Sequence, residues 1–164
     1  MRRIILFCFI LLLASCKSKS PENSMAKATS KVSEKNIALI KPEEVDAVKK
    51  DRAYNIGTRL LGSCNSSRFR TFTSAEATDK VRQNATREKV AAICQKINQR
   101  SGRFRDIELI DITRNKKLKE YTFRYSIDYE KKLYKKELFV TVNEGNQVSA
   151  IITKEVKPKT LASN

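Results

Sequence analysis

The sequence predicts an α+β domain in which amino-terminal helices pack on one face of a four-stranded antiparallel sheet. Three observations carry that expectation. Apolar residues recur at spacings of three and four as far as Gly102, they alternate every second residue beyond it, and a short basic and then apolar leader precedes both. Helices first and strands afterwards, each strand apolar on one side only, is the pattern of segregated α+β layers.

The leader comes first. Met1-Arg2-Arg3 is followed by an unbroken apolar run from Ile4 to Leu13 and then by Ala14-Ser15-Cys16. A short positive segment, a ten-residue apolar core and a small-residue ending predict an export signal, and the run is too short to span a bilayer. Leu13-Ala14-Ser15-Cys16 resembles the bacterial lipobox, cut just before a cysteine whose thiolate takes a diacylglycerol. Residues 1–15 are therefore expected to be removed and Cys16 to be lipidated. Two or three acyl chains of the palmitate kind, at about 0.8 kcal/mol per buried methylene, make a stable membrane anchor. Lys17 rather than Asp follows the cysteine, which in a two-membrane bacterium favours the outer membrane over the inner.

Residues 16–41 are rich in Lys, Ser and Ala and poor in bulky apolar side chains, so they are expected to form a flexible tether. The folded domain is expected over 42–156. Pro42 with Glu43 and Glu44 reads as a helix start, because proline suits the first helical position and acids suit the positive first turn. Val45, Val48, Arg52, Ile56 and Leu60 continue that helix to about residue 63, where Gly62 and Asn65-Ser66-Ser67 end it. Phe69 and Phe72 in the next loop read as core plugs. Thr73 with Glu76 reads as a capping box for a short helix to about Asn84. Thr86 caps a third helix with Val90, Ile93, Cys94 and Ile97 on one face, closing at Gly102.

Strands follow. Ile107, Leu109, Ile110 and Ile112 mark the first, while Tyr121, Phe123, Tyr125, Ile127 and Tyr129 alternate strictly in the second. Leu138, Val140 and Val142 mark the third, and Val148, Ala150 and Ile152 the fourth, across a hairpin turn at Asn143-Glu144-Gly145-Asn146. Residues 157–164, with Pro158, read as a frayed tail.

The order of these elements, with the helix closing at Gly102-Arg103-Phe104 and the runs Tyr121-Thr122-Phe123-Arg124-Tyr125 and Val140-Thr141-Val142, resembles the nuclear-transport-factor-2-like superfamily. It is similar in particular to the domains of unknown function found there behind lipoprotein signals. The resemblance covers about residues 43–156 and implies a curved sheet that encloses a conical pocket with the first helix. Its near alternative is a cystatin-like arrangement, one helix clasped by a meander. Enzymes of the superfamily use pocket-lining Asp, His or Tyr, and no catalytic position carries over to this chain.

Charge and composition narrow the chemistry. The chain has 164 residues, 34 Lys and Arg, 18 Asp and Glu, no His, and a net charge of +16. Without His there is no Ser-His-Asp triad, no Cys-His pair and no imidazole metal ligand. No cofactor or metal motif and no Gly-rich phosphate loop is present, and an exported protein is a poor nucleic-acid partner. The pairs Asp106 with Glu108 and Asp128 with Glu130 each share a strand face and are expected on the solvent side. Tyr121, Phe123, Tyr125 and Tyr129 either line the pocket or form core aromatics with hydroxyls at the rim. Cys64 and Cys94 are either a disulfide closing about thirty residues or two buried free thiols. Lys116, Lys117, Lys119, Lys131, Lys132, Lys135 and Lys136 either form a basic patch for anionic envelope components or a solvated surface that guards sheet edges. The expectation is a membrane-anchored, non-catalytic module that binds a ligand or a protein partner. An electrostatic binder of anionic envelope components is the alternative, followed by an enzyme using a buried carboxylate.

Overall fold

A computed structural model describes residues 36–132 and 135–156. The expected signal, Cys16, most of the tether and the tail 157–164 lie outside the described residues. Five strands and three helices appear in the order β1 (Ile37–Ile40), α1 (Ala47–Ser66), α2 (Asp79–Asn84), α3 (Arg87–Ser101), β2 (Phe104–Asn115), β3 (Glu120–Tyr129), β4 (Lys135–Val142) and β5 (Val148–Val156). The strands form one antiparallel meander, β1-β2-β3-β4-β5, with the helices on one face.

The sheet therefore has five strands and not the expected four, and the extra one falls within the stretch assigned to the tether. Ile37 pairs with Asn115 and Ile40 with Ile112. Four apolar residues in a row, Ile-Ala-Leu-Ile, carry no alternation of type, so their alternation of environment was invisible until the partner strand supplied it. The first helix also starts later than expected. Pro42–Glu44 is a single 3-10 turn, Val45 drops into the core with extended backbone, and Asp46 caps α1 by accepting the Val48 N–H at 2.7 Å. At its other end α1 runs through Gly62 to Ser66 and stops where Ser67 turns left-handed at φ 54°.

Thr73 and Glu76 form half of the expected box, the Glu76 carboxylate accepting the Thr73 N–H at 2.9 Å, but no helix grows from it. The chain there makes a parallel bridge to β5, with Val148 N–H donating to the Glu76 carbonyl and Thr78 N–H to the Val148 carbonyl. The helix is thereby delayed to Asp79. Thr86 caps α3 as expected by accepting the Lys89 N–H, and Gly102 closes it at φ 73°. A Cβ at Gly102 would also sit 3.0 Å from the Glu130 carboxylate, so two constraints select glycine there.

The core lies between the helices and the sheet. Ala53, Ile56, Leu61 and Cys64 of α1 meet Ile107, Ile112, Phe123, Tyr125, Leu138, Val140 and Val142, all buried. Cys64 and Cys94 are joined in a disulfide with Cα atoms 4.8 Å apart, tying the end of α1 to the middle of α3. Closing a loop of that length removes unfolded-state entropy worth about 3 to 4 kcal/mol. Reduction of the native protein is expected to lower the urea midpoint by a matching amount. An unchanged midpoint, with both thiols alkylated, would show that the bridge carries no stability.

Candidate binding site on the open face of the sheet

The helix side of the sheet is filled. Phe123, Tyr125 and Tyr129 are core aromatics with 0, 3 and 2 % of their surface exposed, and Tyr121 packs at the margin under the Arg114 guanidinium. The conical pocket expected between α1 and the sheet is replaced by contact. At Gly57, a Cβ would lie 2.8 Å from Leu138 Cδ2 and 3.2 Å from Ile107 Cδ1, so the α1 backbone rests directly on the inward side chains of β2 and β4. Burial lifts the Tyr125 hydroxyl above its ordinary range and the Tyr129 hydroxyl to about 12, which keeps both phenols neutral.

Space appears instead on the other face. Strict alternation that buries Tyr125, Ile127 and Tyr129 must turn Arg124, Ser126 and Asp128 outward, and β2 and β4 add Asp106, Glu108 and Glu137 beside them. At the end of the sheet where β3 passes to β4, Asp106, Glu108, Ser126, Asp128 and Glu137, together with Lys131, Lys132, Lys135 and Lys136, border a hollow of about 810 Å³, with Arg124 just outside it. Of the four expected pocket-lining aromatics only Tyr129 reaches it. Asp106, Glu108 and Asp128 stand on the solvent side, as their spacing predicted; Glu130 lies just past the strand end and accepts the Arg103 N–H.

The hollow carries charges of both signs, several of them engaged. Arg124 donates to Glu137 through Nε at 2.9 Å and Nη2 at 2.7 Å and to Asp111 at 3.0 Å, clamping β2, β3 and β4 together. That hydrogen bonding holds the Glu137 carboxyl below its ordinary range and raises the guanidinium further. Lys132 bonds Asp128 at 2.6 Å and lowers its carboxyl, and Asp106 accepts the Tyr54 hydroxyl at 3.0 Å, which raises that phenol. Lys136 lies 5.7 Å from the Tyr129 ring centroid, and partial burial together with Arg100 pulls its ammonium down.

The seven lysines expected as one basic patch form two clusters. Lys116, Lys117 and Lys119 sit in the β2–β3 turn, whereas Lys131, Lys132, Lys135 and Lys136 sit around the β3–β4 connection at the opposite end of β3, roughly 30 Å away for a ten-residue strand. Consecutive turns of a meander must alternate ends, so the separation was implied once both flanking strands were read. Lys119 is further paired with Glu144 at 3.2 Å.

Ser126 and Glu137, which line the hollow, have no apolar periodicity of their own to mark them. The polar half of the strand alternation is their signal. Among the described residues no cluster of three metal-ligating side chains occurs, and no helix is long and apolar enough to cross a membrane. The chain matches no protein-family model, no curated protein and no solved structure.

Away from the hollow, Glu76 holds the loop between α1 and α2 in place. Its carboxylate accepts from Arg59 at 2.6 Å, from Arg70 at 3.2 Å and from the Thr73 N–H, while Arg59 also covers the Phe72 ring. The Arg59 hydrogen bond, chiefly, holds the Glu76 carboxyl at about 2 against an ordinary 4.5, with burial opposing. A carboxyl lowered on folding stabilises fully above its unfolded value and loses that contribution as pH falls towards its folded one. Allowing for the partial exposure of Arg59, about 2 kcal/mol is expected to disappear between pH 4.5 and 2. Urea unfolding across that window should show the loss in the native protein and a flatter profile in Glu76→Gln; identical profiles would remove Glu76 from the acid response.

Proposed function

We propose that this protein is a lipid-anchored, non-catalytic binding module of the bacterial cell envelope, with its ligand site in the hollow on the open sheet face. The observation that carries the reading is the coincidence of that hollow with the second lysine cluster. About 810 Å³ is within the usual range of small-molecule sites, and no acid borders Lys135 in a direct ion pair among the described residues. The ligand it suits carries an anionic group that Lys135 holds and polar groups that Ser126 and Glu108 meet, while Lys136, one residue on, turns to the helix side over the Tyr129 ring. The displaced carboxylates Glu76, Glu88, Asp128 and Glu137 are all displaced downward, the opposite of a general acid at neutral pH. This supports binding over the carboxylate-enzyme alternative.

The lipobox supports the anchoring half of the proposal, and the strand–helix–meander order supports the cystatin-like arrangement over the conical-pocket one. The division of the lysines into two clusters, with Lys119 and Lys132 neutralised, speaks for a discrete site and against a broad electrostatic surface.

Two measurements test the proposal. In cells, Cys16→Ala is expected to move the protein from the membrane to the soluble fraction, and unchanged membrane association would refute the lipid anchor. In vitro, the same unlipidated chain titrated with glycerol phosphate is expected to shift the amide resonances of Ser126, Asp128 and Lys135, and the variant Lys135→Glu should abolish the response. Shifts spread over both lysine clusters, decaying together as salt is raised, would favour the electrostatic surface instead.

A further inference from the structure

Apart from the hollow, the described surface holds one long strand edge with an apolar groove beside it. The other edges are blunted. β1 is four residues long, and the stretch of β2 that β1 leaves uncovered carries two register shifts, between Phe104 and Asp106 and between Leu109 and Asp111, together with the charges of Arg105, Asp106 and Glu108. β5 differs. From Ala150 to Val156 it pairs with β4 in unbroken register and, among the described residues, has no strand on its other side. Only its first residue is occupied there, by the bridge in which Val148 exchanges hydrogen bonds of 2.9 and 3.0 Å with Glu76 and Thr78. The chain itself thus uses this edge to receive an extended segment, and then leaves it.

Alongside runs a groove of about 490 Å³ between β5, the end of α1, α2 and α3. Its wall is apolar, with Leu60, Val81, Ile97 and Ile151 lining it and Ile93 standing 56 % exposed at its rim; Lys80 is its one ionisable residue. Sequence spacing places Ile93 on the buried face of α3, so its exposure marks where that face extends past the core. α2 and α3, which flank the groove, carry Lys80, Arg82, Arg87, Lys89, Lys96 and Arg100 against Asp79 and Glu88.

We propose that this edge and groove form a docking site for an extended segment of a partner protein, with apolar residues at alternate positions and acidic residues beside them. Added to β5, such a strand satisfies the edge N–H and C=O groups and drops every second side chain between Ile93, Ile97 and Ile151. A purely apolar small ligand in the groove would cover part of that edge without offering it hydrogen bonds, which penalises it. A second copy of this chain would bring one cation-rich helix pair against another. The acidic segment suits the charge of α2 and α3, and the site is separate from the open-face hollow, so either can fail without the other.

The test is a selection of phage-displayed random dodecapeptides on the mature, oxidised Cys16→Ala chain. Selected peptides should share alternating apolar positions with neighbouring Asp or Glu, slow amide hydrogen exchange along residues 150–156, and bind Ile93→Glu at least tenfold more weakly. Because Ile93 is an exposed rim residue, that variant should keep its unfolding midpoint, which separates lost binding from lost fold. Peptides without alternation, equal binding to Ile93→Glu, protection elsewhere, absence of enrichment, or concentration-dependent dimers protected at β5 would each overturn the proposal.

Discussion

At Gly57 the α1 backbone lies against the side chains of the sheet with no side chain of its own between, and the packing of the two layers is built around that contact. With no side chain there, the α1 backbone settles against Leu138, Ile107 and Val140, and the flanking Ala53, Ile56, Leu61 and Cys64 fill the space on either side. Glycine in the middle of a helix costs about 1 kcal/mol in propensity. Close packing over a large apolar surface offsets it, because dispersion contacts in a dense interior are individually small and collectively large. The consequence for function is direct. A helix seated this low leaves the buried aromatic residues of β3 as core and leaves no pocket for a ligand between α1 and the middle of the sheet.

Two cross-links hold that seating. The Cys64–Cys94 disulfide fixes the end of α1 to α3, and the Arg59–Glu76 ion pair fixes the connecting loop against α1 while the same loop bridges to β5. Both act at the side of the domain where the apolar groove opens. The groove is therefore bounded by elements that are covalently or electrostatically tied, which makes its shape a property of the fold. On the opposite face the Arg124 clamp does the equivalent work, spanning three strands beside the hollow.

Much of this was legible in the sequence, and the failures have particular causes. Strict alternation located β3, β4 and β5, and Thr86 and Gly102 located the ends of α3. β1 was hidden because its four apolar residues have no pattern of their own and gain an inside and an outside only when paired to residues 112–115. Pro42 suggested a helix start, but Asp46 had a side chain able to cap the helix and Pro42 did not. Two cysteines on apolar stripes favour buried free thiols over a disulfide, and the crossing of α1 and α3, which brings Cys64 and Cys94 together, decides for the disulfide. The hollow was hardest to foresee: its residues come from β2, β3, β4 and the loop beyond β3, and a spacing rule on one segment cannot show that they meet.

The absence of His and the excess of Lys and Arg acquire a structural sense from this arrangement. Several cations are spent on specific carboxylates or on covering aromatic rings, and others stand at the hollow, beside the groove and in the β2–β3 turn. That interpretation depends on the helix side being a packed core. The most direct measurement is the stability of Gly57→Leu by urea unfolding. If α1 rests on the sheet as described, the added side chain has no room, and the variant should lose about 2 kcal/mol or more, or fail to fold. If a pocket lay between helix and sheet, leucine would enter it and the gain in helix propensity would raise the midpoint, a result that would contradict the account.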